Sequence, residues 1–274
     1  MLQHRTLNTP LLPGLEAFVC HETTAAFTPF IPSFLSPRTV VIDIKFVVPT
    51  SEVPELMVAS MITTFPTLCP NLLEITLRHL PKDQAVFTAV SDMLLACNRN
   101  TLQRFEVSST LTRAAREVLS QLPNLRELSL ILSMDTLLPP LVLPNLVKME
   151  VVHAHGHEWL RNSNGATLNK LTTVRLVIFS PHVGDFLEAF EAFAVATSVS
   201  TKLSTLSIYS EYPWDPNYSS LLELKNLTEL QVLTPCRVTC SSTVNDDIIT
   251  DLARAMPKLR ILQLGSEPCG IRSA

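Results

Sequence analysis

The segment HAHGH at residues 153–157 holds the residue types in this chain that are best suited to chemistry. If a strand continues through the segment, the alternation places all three imidazoles on one side, where they could bind zinc, nickel or copper. A catalytic metal needs further His or Asp ligands on later strands, and the corresponding positions hold Phe179, Glu211 and Pro235. Two interpretations stay open: solvated loop histidines, or a metal site formed by His153, His155 and His157.

Other patterns that carry chemistry are missing from the sequence. It has no GxGxxG, GxSxG or HExxH motif. Gly265 and Gly270 have the spacing of a phosphate loop, but Ile271 and Arg272 follow where Lys and Ser or Thr would hold phosphate and magnesium. The cysteines form no CxxC pair and no common zinc pattern, so we interpret them as reduced thiols. We therefore predict that the protein is not an enzyme and needs no cofactor.

Composition and charge exclude several classes of partner. The formal net charge is −4 and the pI is about 6.0, and no basic block is present that could neutralise the phosphates of a nucleic acid. No apolar run approaches the roughly 18 residues of a membrane span. The first residues lack the basic start and apolar stretch of a secretory signal. These features predict a cytoplasmic or nuclear protein that binds neither nucleic acid nor membrane.

A repeated phrase, L-x-x-L-x-L, organises the elements that would position any functional residue. Its last part alternates apolar and polar residues, which predicts a short strand with one buried face. Successive phrases begin as little as 21 residues apart (Leu125 to Leu146) and as much as 33 apart (Thr39 to Leu72). The first, fourth and sixth positions of the ten phrases are Leu15/Phe18/Cys20, Thr39/Ile42/Ile44, Leu72/Ile75/Leu77, Leu102/Phe105/Val107, Leu125/Leu128/Leu130, Leu146/Met149/Val151, Leu171/Val174/Leu176, Leu203/Leu206/Ile208, Leu227/Leu230/Val232 and Leu259/Leu262/Leu264.

Helix signals lie between several of these phrases. Asp83, Thr112 and Asn245 are suitable N-cap residues, and apolar residues with the 3.6-residue period of a helix follow them. Residues 182–196 carry a stripe of phenylalanines with the same period, which predicts another helix. The phrases between 125 and 171 are too close together for long helices, so we expect loops or single turns there.

Strand, turn and helix repeated in this way predict an α/β leucine-rich repeat solenoid. One unit cannot bury both of its faces, whereas about ten stacked units build a continuous core. We expect a single irregular domain spanning residues 1–274. A curved parallel sheet would form its concave side, with helices and loops on the convex side.

The phrases CPNLLEITL, LPNLRELSL and LKNLTELQV, with the tail MPKLRILQLGSEPCG, resemble the leucine-rich repeat region of fungal F-box-like proteins. In that family the repeats hold a substrate, while a separate F-box helix bundle binds the Skp1-type adaptor of an SCF-type ubiquitin ligase. The resemblance implies a substrate-recognition role. A Skp1-type adaptor would be a partner only if an F-box exists outside this chain.

The sequence departs from the family pattern in three places. The turn after each strand lacks the Asn or Cys that ordinarily bonds neighbouring backbones, so these turns must be satisfied in another way. The segment VPELMVASMI, from Val53, has the start of an F-box but room for only about one helix, which predicts a repeat helix with Pro54 in its first turn. After Leu264 a covering helix is expected, and the shortness of the remaining tail leads us to expect a fragment or a truncated relative.

Outward-facing positions three, five and seven of each phrase form three rows across the predicted sheet. The first row begins with alternating charges (Glu74, Arg104, Glu127, Lys148), which favours a face whose side chains pair with one another. The third row is apolar over five consecutive units, namely Ile131, Val152, Val177, Tyr209 and Leu233. Such a stripe beside polar rows indicates either a partner surface or positions covered by the following loops, and both interpretations stay open.

The segment YSEYPWDPNY gathers all the tyrosines and one tryptophan of the chain, at Tyr209, Tyr212, Trp214 and Tyr218. Aromatic residues of this kind often anchor interfaces, although a proline-stiffened loop packed on its own repeat is the alternative. We predict a protein-interaction module whose partner-binding residues are these aromatics with Arg175 and the apolar third row. The alternatives are a structural scaffold without a ligase link and a metal-dependent enzyme that uses the histidine cluster.

Overall fold

The computed structural model describes residues 10–47, 54–132, 143–153, 169–178, 202–210, 218–234 and 245–266. The chain divides into two compact units, residues 1–127 and 128–274. Ten strands follow one another in chain order in an open sheet, and each strand pair whose register is described is parallel. The α/β class and the parallel sheet are therefore confirmed. The single domain spanning residues 1–274 stays a prediction.

Unit 1 alternates strands with helices. Its elements are β1 (Ala17–Thr23), the 3-10 helix η1 (Thr28–Ser33), β2 (Val41–Phe46), α1 (Glu55–Leu68), β3 (Glu74–Arg78), α2 (Gln84–Ala96), β4 (Arg104–Val107) and α3 (Arg113–Leu119). Helix α1 packs on η1 and α2, and α2 packs on α3. The described part of the segment with an F-box-like start is therefore one helix, as predicted, and Pro54 is its N-cap residue rather than a residue of its first turn.

Unit 2 contains fewer described helices. Its elements are β5, which begins at the unit boundary (Glu127–Leu132), β6 (Lys148–His153), β7 (Thr173–Ile178), β8 (Thr205–Ser210), the 3-10 helix η2 (Tyr218–Glu223), β9 (Glu229–Thr234), α4 (Asp246–Ala255) and β10 (Ile261–Ser266). Helix α4 packs on η2. The helix predicted at 182–196 lies outside the described residues.

Each of the ten phrases ends in a strand, as the sequence predicts. The strands pair so that equal phrase positions lie side by side, for example Ile42 beside Ile75 and Val174 beside Leu206. At the fourth and sixth positions of β2 to β9 no side chain is more than 4% exposed. These inward residues form the core together with the buried faces of the helices, because burying their apolar surface is the main stabilising contribution.

One backbone pattern sets the start of β2 to β5 and of β7 to β10. The carbonyl at phrase position two accepts hydrogen bonds from the amides at positions two and three of the following unit. The Val40 carbonyl accepts from Leu73 and Glu74 at 2.8 and 3.1 Å, and the Ser204 carbonyl accepts from Thr228 and Glu229 at 2.8 and 3.0 Å. Position two also carries hydroxyls in unit 2, where Thr228 Oγ1 donates to the same Ser204 carbonyl at 3.0 Å.

The predicted N-caps are present. Asp83 Oδ1 accepts from the Ala85 amide at 2.7 Å, Thr112 Oγ1 from Ala115 at 3.4 Å, and Asn245 Oδ1 from Ile248 at 2.9 Å. Each bond satisfies a backbone donor that the first helical turn would otherwise leave unpaired. The caps therefore set the start of α2, α3 and α4 at the residues that the sequence indicates.

At one described turn a hydroxyl group replaces the asparagine that leucine-rich repeats ordinarily use. Leu80 occupies one of the positions expected to carry that asparagine, and its amide donates to Ser108 Oγ of the next unit at 3.0 Å. Ser91, buried in α2, accepts from the Thr112 amide at 2.9 Å and so joins α2 to the start of α3. The prediction that these turns are satisfied in another way is thus confirmed at Leu80 and stays a prediction at the other positions. Among the described residues, no helix is long and apolar enough to cross a membrane.

Candidate partner-binding face

The apolar third row lies within unit 2, and its described registers form one line. Val152 in β6 pairs with Val177 in β7, Val177 pairs with Tyr209 in β8, and Tyr209 pairs with Leu233 in β9. Val177 is buried at 8% exposure, whereas the other three are half-buried, as is Ile131 in β5. Neighbouring strands lie about 4.8 Å apart, so the side chains of Val152, Val177, Tyr209 and Leu233 form a continuous apolar strip, and Ile131 lies on the adjacent strand β5.

Polar side chains flank this strip. In the second row Arg175 Nη1 lies 3.2 Å from Glu150 Oε1, with Arg175 the more exposed partner. Further along, Ser207 Oγ donates to Gln231 Oε1 at 3.4 Å, and Gln231 Nε2 donates to Glu229 Oε1 at 2.8 Å. The predicted contact residue Arg175 therefore lies beside the strip, already engaged in an exposed ion pair.

The outward face of unit 1 is different, because charged residues occupy the same rows. Arg104 lies within reach of Glu74 at 4.0 Å and Glu127 at 3.5 Å, which confirms for these three residues that the first row pairs with itself. The main connection runs through Glu106 in the second row. Its carboxylate accepts from Arg78 Nε at 2.6 Å and from Arg104 Nη2 at 2.9 Å.

The two guanidinium groups govern the charge of Glu106. Burial of the carboxylate opposes its ionisation, but hydrogen bonds from Arg78 and Arg104 outweigh that effect and lower the pKa of Glu106. The pKa of Arg104 is raised because the same contact and the nearby Glu127 and Glu74 outweigh its own burial. In this network Arg78, Arg104 and Glu106 pair with one another, so their charges are partly neutralised within the face.

The sequence rows did not indicate the role of Glu106. Position five of β4 lies directly beside Thr76 and diagonal to Arg78, so its strongest contact joins different rows. The alternating signs of the first row were visible, but a diagonal contact depends on side-chain length and orientation. Another missed feature is His21, whose Nε2 lies 3.7 Å from Asp43 Oδ2 on β2.

Of the predicted aromatic anchors, the structure places two. Tyr209 is half-buried within the third row, and Tyr218 is buried at the start of η2. The burial of Tyr218 leaves little of its ring for a partner to contact. Tyr212 and Trp214 lie outside the described residues, so their role as interface anchors stays a prediction.

The histidine cluster also falls mostly outside the described residues. The backbone of His153 ends β6, while His155 and His157 lie beyond the described part of the chain. Among the described residues, no group of three or more His, Cys, Asp or Glu side chains is placed to hold a metal ion. Cys69 and Cys97 are free thiols that follow α1 and α2, and burial raises their pKa to about 11 and about 12.

No protein-family model matches the chain, and no curated protein matches it. The resemblance to F-box-like proteins is therefore carried by the repeat phrases alone.

Proposed function

We propose that the protein is a non-enzymatic protein-interaction module built as a leucine-rich repeat solenoid. The repeated pairing of equal phrase positions supports the solenoid, because it is how stacked repeat units share one core. The partner would contact the outward face of unit 2, on the strip formed by Ile131, Val152, Val177, Tyr209 and Leu233. It would do so mainly through the four half-buried members, because Val177 is buried and offers little surface.

The alignment of Val152, Val177, Tyr209 and Leu233 in one register line is the observation that carries this proposal. In unit 1 the same row holds Lys45 beside Arg78, so apolar character at these positions is not demanded by the repeat. An apolar strip bordered by hydrogen-bonding side chains is the usual composition of a recognition surface. The alternative that loops cover the strip predicts that changes there alter stability and leave binding unchanged.

In its finer form, the proposal makes the partner a substrate of an SCF-type ubiquitin ligase. That form rests on the resemblance of phrases such as LPNLRELSL and requires an F-box segment outside this chain to reach the Skp1-type adaptor. A structural scaffold without a ligase link is the competing function, and it predicts no partner specific to the strip.

Proximity labelling in cells with wild type, Val152→Lys and Thr173→Lys tests these alternatives. Both substitutions add a lysine to the outward face of unit 2, but only Val152 belongs to the strip. Partners lost with Val152→Lys and retained with Thr173→Lys would support a binding strip, provided that both variants keep the wild-type melting temperature. If the adaptor and the cullin of an SCF-type ligase are labelled by wild type and by Thr173→Lys, that result would support the ligase link. Labelling that is identical for all three proteins would contradict the binding strip.

A further inference from the structure

The two edge strands leave core positions uncovered. Inward positions in β2 to β9 are at most 4% exposed, whereas Leu262 in β10 is 38% exposed and Leu264 is only half-buried. At the opposite edge Cys20 in β1 is half-buried as well. Among the described residues, each interior strand has a strand on both sides, whereas β1 and β10 have one on a single side, and the exposure follows that difference.

Exposed apolar residues surround both edges. Ile261 in β10 is 51% exposed, and α4, the helix before β10, exposes Ile249. Near β1, Val19 is 60% exposed and Phe30 in η1 is exposed. Leu11 is exposed beside η1, where its amide donates to the Ser33 carbonyl at 2.7 Å. Both edges therefore offer apolar surface together with the backbone groups of a strand edge.

The hydrogen-bond rule of the array specifies what an added strand must supply. The carbonyl at position two accepts from the amides at positions two and three of the next strand, as Glu16 does for Val40 and Val41 at 2.8 and 3.2 Å. In β10 the corresponding carbonyl belongs to Arg260. A parallel strand in the same register would therefore place its own position-two residue beside Arg260.

Strand β1 of a second copy fits this register in charge and in the pattern of apolar residues. Its position-two residue is Glu16, so an exposed carboxylate would lie beside the exposed guanidinium of Arg260. Position four would set Phe18 beside the uncovered Leu262, which extends the inward apolar row. Opposite charges at neighbouring positions of paired strands are attractive, and like charges there are repulsive.

We propose that the protein associates head to tail, with β10 of one copy pairing in parallel with β1 of a second copy and Arg260 facing Glu16. Such a contact joins two different surfaces of the same chain. It therefore repeats from copy to copy until a ring closes or a chain of copies grows. The inference does not depend on the partner strip of unit 2, because it uses only the two edge strands.

Sedimentation velocity of the full chain between about 1 and 100 µM, with Arg260→Glu and Glu16→Arg, tests the contact. Wild type is expected to form species larger than a dimer as concentration rises. Each single charge reversal should weaken the apparent association constant by about tenfold, since it turns an attractive pair into a repulsive one. Arg113→Glu and Glu117→Arg make matched charge changes on the exposed face of α3 and should associate like wild type.

An equimolar mixture of Arg260→Glu and Glu16→Arg gives the sharpest outcome. Every contact between one variant and the other again joins opposite charges, so the mixture should recover association close to that of wild type. A wild-type protein that stays monomeric throughout the range would overturn the proposal. A dimer that responds to Arg260→Glu, ignores Glu16→Arg and is not rescued by mixing would also overturn it, because that pattern indicates pairing between two β10 edges.

Discussion

Replacing Glu106 with glutamine tests how much the charge network stabilises unit 1. The carboxylate accepts from Arg78 at 2.6 Å and from Arg104 at 2.9 Å, and its side chain is only 19% exposed. Hydrogen bonds to charged groups contribute about 1.5–3 kcal/mol when buried, and partial exposure of the two arginines reduces that. Glutamine keeps the shape and one acceptor oxygen but loses the charge. We therefore expect the free energy of unfolding to fall by about 2 kcal/mol at pH 7.

Glu117→Gln is the matched control. Glu117 accepts from Arg113 at 3.0 Å in a pair of the same chemistry, but both side chains are more than half exposed on α3. An exposed pair one helical turn apart contributes about 0.3–0.5 kcal/mol. Urea denaturation monitored by circular dichroism measures the decrease in the free energy of unfolding for Glu106→Gln and for Glu117→Gln. Hydrogen exchange of the β3 and β4 amides assigns the Glu106 effect to unit 1.

The pH dependence of this loss has a definite sign. The pKa of Glu106 is lowered in the folded state, so its stabilisation is fully present above the unfolded value of about 4.3. It is lost as the pH falls through the lower folded-state pKa. The difference between wild type and Glu106→Gln should therefore shrink in acid. Equal losses for the two variants at pH 7, or a Glu106→Gln loss that is the same at pH 7 and pH 3, would refute the reasoning.

Two further predictions concern helix α2 and the residue that follows it. Asp83→Ala removes the cap bond to Ala85 and should lower the free energy of unfolding by about 1 kcal/mol, measured by urea denaturation. The control Asp92→Ala, on the exposed side of α2, should change it by less than about 0.5 kcal/mol. The Cys97 thiol, buried and with its pKa raised to about 12, should resist iodoacetamide at pH 8 in the folded protein and react fully in urea, as read by peptide mass spectrometry. Rapid modification of Cys97 without urea would show that the α2 terminus is not packed as described.

Much of the fold could be predicted because the spacing of apolar residues in the repeat phrase indicates where each strand lies and which of its sides is buried. Alternation at the fourth and sixth positions identifies the buried side of each strand, and the residues at those positions in β2 to β9 are all at most 4% exposed. Cap residues such as Asp83 and Asn245 identify helix starts because their short side chains bond the nearby backbone amides. These signals are local, so they can be read without knowing what any residue contacts in space.

The candidate face was only partly predictable, since its properties arise between strands. The sequence aligned Val177 with Tyr209 correctly, because equal phrase positions become neighbours in a stacked array. It left open whether the third row and the aromatic segment are covered, and the structure shows that Val177 and Tyr218 are buried whereas Tyr209 is half-buried. Those differences depend on the side chains that pack around each residue, which the phrase does not specify.

Inward and outward positions differ in the same way, which explains why the repeat predicts the fold but does not identify a partner. Inward positions must be apolar in every unit, so they are similar throughout and contain little information about binding. Outward positions are not constrained by the core, and the third row accordingly changes from Lys45 and Arg78 in unit 1 to Val177 and Tyr209 in unit 2. Because the core does not require that change, we expect a partner to be recognised at the half-buried members of the strip, such as Tyr209, rather than at the buried Val177.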